Sequence, residues 1–231
     1  MAIFIFDLYG TLVEKDDYCY DAALKWLSSR YFYGRFYELK KLSELIKTKH
    51  LELRNATNKE FSFIEQLNFF QTKMKVSIED DLYLVELEFL KIFRKEKLKK
   101  GVLECLDYLS RHNQKCFVLT NSIFSGNNLK VLLRNLGIDN YICKVYSSAD
   151  IGYRKPSENC FSFVDKDIEI RRKQDVFFIG DSYQKDYLGA KEYGFTPILL
   201  SNEITSLYDG QIFENMTSFL FFLERVLRLE N

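Results

Sequence analysis

Five short apolar runs punctuate the chain: Ala2 to Phe6 (AIFIF), Lys115 to Leu119 (KCFVL), Ile142 to Tyr146 (ICKVY), Asp175 to Ile179 (DVFFI) and Thr196 to Leu200 (TPILL). They are continuous rather than alternating, which is the pattern of strands covered on both faces. Between them apolar residues recur at helical spacing, predicting helices over Leu103 to Ser110, Asn128 to Leu136, Glu158 to Val164 and Asp186 to Tyr193. Strands alternating with helices of this length predict an α/β fold with a doubly wound parallel sheet. Such sheets bind ligands beyond the carboxyl ends of their strands, so the residues just after each run are the first candidates for chemistry.

From about Lys15 to Lys97 the alternation stops. Leu39, Leu42, Leu45 and Ile46, and later Leu82, Val85, Leu87, Phe89 and Leu90, keep helical spacing and predict several helices and no strand. The expected organisation is a core of residues 1–13 and 98–231 with an all-helical insertion, residues 14–97, forming a cap over the carboxyl edge of the sheet. The lysine-rich stretch Lys91 to Lys100 reads as a solvated helix end closed by Gly101. The apolar stretch Ser218 to Leu229 reads as a docking helix.

Composition narrows the classes. The 231 residues carry 33 basic and 33 acidic side chains, so the basic surplus of a nucleic-acid binder is missing. The 15 Tyr and 21 Phe are spread along the whole chain, which favours packing over a stacking platform for bases. Cys19, Cys105, Cys116, Cys143 and Cys160 are odd in number and lack CxxC spacing. They fit reduced thiols better than a disulfide frame or a zinc site, with Cys143 and Cys160 as small apolar residues. The amino terminus lacks signal-peptide features and no apolar run reaches membrane-spanning length, so the expectation is a cytoplasmic protein without membrane or nucleic-acid partners.

Each strand is followed by polar residues of one chemistry. Asp7-Leu8-Tyr9-Gly10-Thr11 follows the first and Thr120-Asn121-Ser122 the second; Gly152-Tyr153-Arg154-Lys155-Pro156 lies downstream of the third. Gly180-Asp181-Ser182 follows the fourth, with Asp186 five positions past Asp181. Taken singly these are ordinary: a turn after a strand, a helix cap, a surface Lys-Pro turn, a first-turn acid. Taken together, Asp7, Asp181 and Asp186 bring three carboxylates to neighbouring strand tips, where they repel unless a cation offsets them. An all-oxygen donor set suits Mg2+. Lys155 adds a fixed positive charge, and a carboxylate nucleophile beside such cations is a device for attacking phosphate. The Thr120 hydroxyl is placed to hold a phosphoryl oxygen.

These four segments resemble, in order, the four motifs of the haloacid dehalogenase-like (HAD) superfamily. The stretch LGIDNYICKVYSSADIGYRKPSENCF is similar to the third-motif segment of members with a helical cap inserted after motif one. The resemblance covers residues 1–13 and roughly 98–200. It implies a Rossmann-like core, Asp7 as the nucleophile, and Lys155 as the charge steadying the intermediate. Thr11, Thr120 and Asn121 are implied as phosphate or substrate contacts. The metal set it implies is Asp7, the Tyr9 backbone carbonyl, Asp181 and the supporting Asp186. The activity implied is Mg2+-dependent hydrolysis of a small phosphorylated metabolite, or phosphoryl transfer from it.

One position departs. Phosphatases of the superfamily carry Asp two residues after the nucleophile; here it is Tyr9. A tyrosine, with an ordinary pKa near ~10, is a poor base at neutrality. Motif one resembles the Asp-x-Tyr-Gly-Thr of the haloacid dehalogenases, whereas Gly180-Asp181 and Asp186 resemble the metal-binding phosphatases. Three functions follow: the phosphatase, a metal-free 2-haloacid dehalogenase, and a weakly active ligand-binding member. Glu14, Asp16 and Asp17 are further candidates for the missing base. Trp26, Arg30, Arg35, His50 and Arg54 are insert residues that could face the site; His50 and His112 have no ligand-like neighbours and receive no role.

Overall fold

The computed structural model describes residues 2–15, 18–202 and 211–228. Strand β1 (Ile3–Phe6) is followed by four helices, α1 (Tyr20–Tyr31), α2 (Phe36–Thr57), α3 (Phe63–Met74) and α4 (Leu82–Phe93). The alternation then begins: α5 (Val102–Arg111), β2 (Lys115–Thr120), α6 (Gly126–Asn135), β3 (Ile142–Ser147), α7 (Ser148–Ile151), α8 (Glu158–Ile168) and β4 (Val176–Gly180). It continues through α9 (Gly189–Tyr193), β5 (Thr196–Leu200), β6 (Gln211–Phe213) and α10 (Met216–Arg228).

Among the described residues the strands form one sheet in the order β3-β2-β1-β4-β5-β6, with every pairing parallel. Strand β1 sits in the middle, Ile5 lying beside Phe117 on one side and Phe178 on the other. The sheet is covered on both faces, which is why its strands read as unbroken apolar runs. Phe4, Phe6, Cys116 and Val118 point to the face packed by α5, α6 and α10. Ile5, Phe117, Leu119 and Phe178 point to the face packed by α8 and α9. This is the doubly wound α/β fold with an added helical module, as expected.

Helices α1–α4 share the first of these apolar clusters. Phe124, after β2, packs against Phe63 and Phe93 at ring-centroid distances of 5.5 Å each. The two segments joining the insert to the sheet lie side by side: Val13 bridges Leu98, and Glu14 donates its N–H to the Lys97 carbonyl at 2.9 Å. Helix α3 opens on a reciprocal capping box between Ser62 and Glu65, a pairing that satisfies two otherwise orphaned backbone donors.

Several expectations need correction. Lys91 to Lys100 is not a continuous solvated helix end. Helix α4 stops at Phe93, Arg94 is buried, and the Lys99 amine donates to the Gly10 carbonyl at 2.6 Å. Gly101, at φ +83°, opens α5 as its N-cap instead of closing the helix before it. Strand β6 is absent from the expected set because three half-exposed edge residues carry no apolar run. The segment expected to begin a helix at Asp186 starts three residues earlier as a π-turn, Tyr183–Leu188. Cys143 is exposed, not packed; Cys160 is buried. Helix α10 forms as expected up to Arg228, and Leu229 lies outside the described residues. No helix among the described residues is long and apolar enough to cross a membrane.

Candidate active site

Asp7 is the first residue past β1, held there by its N–H donating to the Ile179 carbonyl at 2.8 Å, a continuation of the β1–β4 pairing. Its side chain is buried. Oδ1 accepts from the Lys155 amine at 2.7 Å, and Oδ2 lies 3.5 Å from the Thr11 hydroxyl. Thr11 is itself fully buried and braces the nucleophile candidate from behind.

Lys155 is almost fully buried and surrounded by acceptors. Its amine donates to Asp7 at 2.7 Å and to the Leu119 carbonyl at 2.8 Å, and lies 2.8 Å from Asp186 Oδ1. An ammonium has three donors, and three acceptors surround this one. Asn121 clamps the Lys155 backbone from both ends: its Oδ1 accepts the Lys155 N–H at 2.8 Å and its Nδ2 donates to the Lys155 carbonyl at 3.0 Å. The Asn121 amide is therefore engaged in aiming Lys155.

Asp186 is buried, and its Oδ2 accepts the Ser182 N–H at 2.9 Å. The π-turn creates this arrangement: Tyr187 donates to the Ser182 carbonyl five residues back, at 3.1 Å, which widens the turn under Asp186. Asp181 stands at the β4 tip and is half-exposed. Carboxylate oxygens of Asp7, Asp181 and Asp186 lie within 4.8 Å of one another. Close approach demands glycines here, since a methyl group at Gly10 would overlap Asp181 and one at Gly180 would overlap Asp186.

A residue that the sequence reading missed completes the group. The Lys15 amine is ion-paired with Asp181. Three carboxylates thus face two ammonium groups, leaving one negative charge in excess. Nothing in local sequence could have flagged Lys15, whose partner is 166 positions away.

Burial pushes the Asp7 carboxyl up to about 6, Asp186 and Asp181 adding to the rise while Lys155 opposes it. Burial by itself would neutralise Lys155, but Asp186 and Asp7 overrule it and hold the amine charged, above the ordinary lysine range. Metal-free, the pair is a buried ion pair whose acid is reluctant to ionise.

Tyr9 takes no part in this network. Burial drives its phenol well above the ordinary tyrosine range, and the Arg94 guanidinium lies 3.6 Å from its ring centroid. Its hydroxyl is buried without a hydrogen-bond partner among the described residues, and so is the Thr120 hydroxyl at the end of β2. Unsatisfied buried hydroxyls are costly, and an acceptor brought to either one would relieve that cost. Of the other base candidates, Glu14 lines a separate cavity with Lys99 and Lys100, and Asp16 and Asp17 lie outside the described residues.

A cavity of about 440 Å³ adjoins this rim, reached by Tyr9, Asn121 and Arg154. His50 and Arg54 of α2 line it. The histidine given no role therefore belongs to the site region, because its α2 face packs inward, with its ring 4.0 Å from that of Phe61. Trp26, Arg30 and Arg35 are elsewhere: Trp26 packs edge-on to Tyr31, Arg30 pairs with Asp80, and Arg35 donates to the Met74 carbonyl. Burial, and then the neighbouring Arg54, lower His50 to about 4 from its ordinary 6.5. The unfolded chain then takes up this proton first as pH falls, so the stability contribution of His50 is present above pH 6.5 and lost towards pH 4. Urea midpoints across that range are expected to fall less steeply for His50→Gln than for the parent; parallel profiles would contradict the assignment.

The family model for haloacid dehalogenase-like hydrolases matches residues 4–200. Among solved structures, a 2-haloacid dehalogenase from Pseudomonas syringae pv. Tomato DC3000 is similar at TM-score 0.69 and 18% identity, covering 98% of this chain and 100% of its own. A HAD phosphatase from Thermococcus onnurineus is similar at TM-score 0.55 and 17% identity, covering 98% of each chain. The magnesium-bound YfnB structure from Bacillus subtilis is similar at TM-score 0.59 and 18% identity, covering 96% of this chain and 98% of its own. No curated protein matches the sequence. At these identities the neighbours show a shared fold, and they include both phosphatase and dehalogenase. With a family model spanning most of its length and the motif side chains gathered at one sheet edge, this chain belongs to the haloacid dehalogenase-like hydrolases.

Proposed function

We propose that the protein is a Mg2+-dependent phosphatase or phosphotransferase that acts on a small phosphorylated metabolite through an aspartyl-phosphate on Asp7. The observation that carries this reading is the charge count at the rim: three converging carboxylates against two ammonium groups. A donor set made only of oxygens, with a net negative charge, fits a hard divalent cation. Asp7, Asp181 and Asp186, with the Tyr9 carbonyl, would hold it, and bound there Mg2+ would offset the charge of the phosphate oxygens. Residues 14–97 act as a cap over a core formed by residues 1–13 and 98–231.

In this mechanism Lys155 stays protonated, keeps Asp7 ionised for attack, and neutralises the phosphoryl group as it transfers. Thr120 donates to a phosphoryl oxygen and so loses its orphan status. Asn121 positions Lys155. The Asp7 oxygen–phosphorus bond forms as the ester oxygen–phosphorus bond breaks, the leaving oxyanion taking a proton from solvent; water or a second acceptor then takes the phosphoryl group, loses its proton to solvent and restores the Asp7 carboxylate.

The test is an assay with phenyl phosphate under Mg2+ titration, run beside halide release from 2-chloropropionate without metal. Phosphate release that requires Mg2+ supports the proposal. Metal-independent halide release supports a dehalogenase instead, the reading that Tyr9 favours, and activity in neither assay points to a ligand-binding member.

Tyr9 makes a second prediction. With no general base at Tyr9 or elsewhere at the site among the described residues, breakdown of the aspartyl-phosphate limits turnover, and phenol should appear in a burst stoichiometric with enzyme. Tyr9→Asp supplies a carboxylate at that position and is expected to raise steady-state turnover by on the order of 10²-fold, the low end of what a general base contributes, and to abolish the burst. An unchanged rate would remove Tyr9 as the explanation.

A further inference from the structure

The cavity beside the rim has a charge pattern that scissile phosphate chemistry does not use. Lys47, Arg54, Arg94 and Arg154 line it, and no acidic side chain among the described residues does. Their acidic partners lie behind the wall. Glu60, whose side chain is fully buried, holds both Arg54 and Arg154, and Glu96 pairs with Arg94. Lys47, exposed on α2, makes no ion pair among the described residues. Four positive groups against two negative ones leave a surplus of two.

The Arg54–Glu60–Arg154 triad is informative in itself. Two guanidinium groups share one carboxylate, which leaves several of their N–H donors without a carboxylate to bind, and their side chains retain 28% and 18% exposure. Paired forks of this kind suit the two oxygens of a carboxylate or phosphate. Arg154 directly precedes Lys155, so the triad lies close to the reacting centre without belonging to it. One side of the remaining wall is aromatic: Tyr18 and Phe93 stack at 5.0 Å, with Tyr20 edge-on to Phe93. At about 440 Å³ the cavity has the size of a metabolite site.

We infer that the substrate carries a second anionic group, remote from the scissile phosphate, which Lys47, Arg54 and Arg154 bind while the aromatic wall covers a compact, flat or apolar body. The substrate class is thus a phosphate monoester that also bears a carboxylate or a second phosphate. This inference rests on the phosphoryl-transfer reading for the scissile end only. His50, lowered by burial and by Arg54, stays neutral into mild acid and adds a hydrogen-bonding edge to the same wall.

Calorimetric titration with non-hydrolysable probes tests it: phenylphosphonate, 4-carboxyphenylphosphonate and 1,4-benzenediphosphonate, each with Mg2+ present. At least one of the two doubly anionic probes is expected to bind at least tenfold more tightly than phenylphosphonate, and which one gains more tells carboxylate from phosphate. The advantage should shrink in high salt and fall about threefold or more in Lys47→Gln, whose exposed position leaves folding undisturbed. Arg54→Gln should bring it close to one. Equal affinity for all three probes, no binding of any, or an advantage that survives both substitutions would overturn the inference. Failure of the phosphatase reading is seen separately, as absent Mg2+-dependent hydrolysis of phenyl phosphate while the binding advantage persists.

Discussion

Asp7→Asn is expected to lower turnover by on the order of 10⁴-fold or more, the scale seen when a covalent nucleophile is removed, while the protein stays folded. The amide keeps the carboxylate's shape and can still accept from Lys155 through its oxygen, so the loss would be chemical. The same variant has a signature in stability that does not depend on substrate. The folded Asp7 carboxyl titrates at about 6 against an ordinary 3.8, so between those values the folded protein holds a proton that the unfolded chain has released. Stability of the metal-free parent therefore declines as pH rises through that window, by up to about 3 kcal/mol from this group, and the Asn variant lacks the decline. Urea unfolding of both proteins between pH 4 and 6.5 measures the difference. Parallel curves would mean that Asp7 is not the buried, strained acid described above.

Lys155→Met should be the most damaging substitution for the fold. Asp7 and Asp186 would be left facing each other, both buried and without the shared amine. Breaking a buried pair by removing one partner typically costs about 3–5 kcal/mol, and the loss here is expected at that level, with turnover reduced by on the order of 10³-fold or more. Added Mg2+ should return part of the stability, because it can replace the missing positive charge. Chemical denaturation with and without the ion reads both effects; a loss below about 1 kcal/mol would show that the amine is not the keystone of the site.

Much of this arrangement is readable from the chain, for a physical reason. Strands buried on both faces must be apolar throughout, so AIFIF, KCFVL and DVFFI announce themselves, and the polar residue that ends each run must lie at the sheet edge. That places Asp7, Thr120 and Asp181 together before any coordinates are known. What local pattern cannot carry is pairing over distance. Asn121 looks like a substrate contact until its amide is found on the Lys155 backbone, 34 positions away. Arg94 looks like part of a solvated lysine-rich stretch until the rings of Tyr9 and Tyr18 are found against it, at 3.6 and 4.3 Å. His50 and Arg54 stand among five insert residues that could face the site until α2 turns these two, and not Trp26, Arg30 or Arg35, toward the cavity. The π-turn is equally hidden, since one residue of extra helical slack leaves no trace in apolar spacing.

The side-by-side run of Val13–Glu14 with Lys97–Leu98 carries a structural consequence of its own. Departure from the sheet and return to it occur at one doorway, so the eighty-odd residues between are grafted at a single point, not woven through the β-layer. An insert attached this way can be lengthened or trimmed by joining two neighbouring stumps with the strand order left as it is, while Lys15 and Glu60 tie it to Asp181 and Arg154. Ligand preference and bond-breaking chemistry can then drift at different rates within one polypeptide.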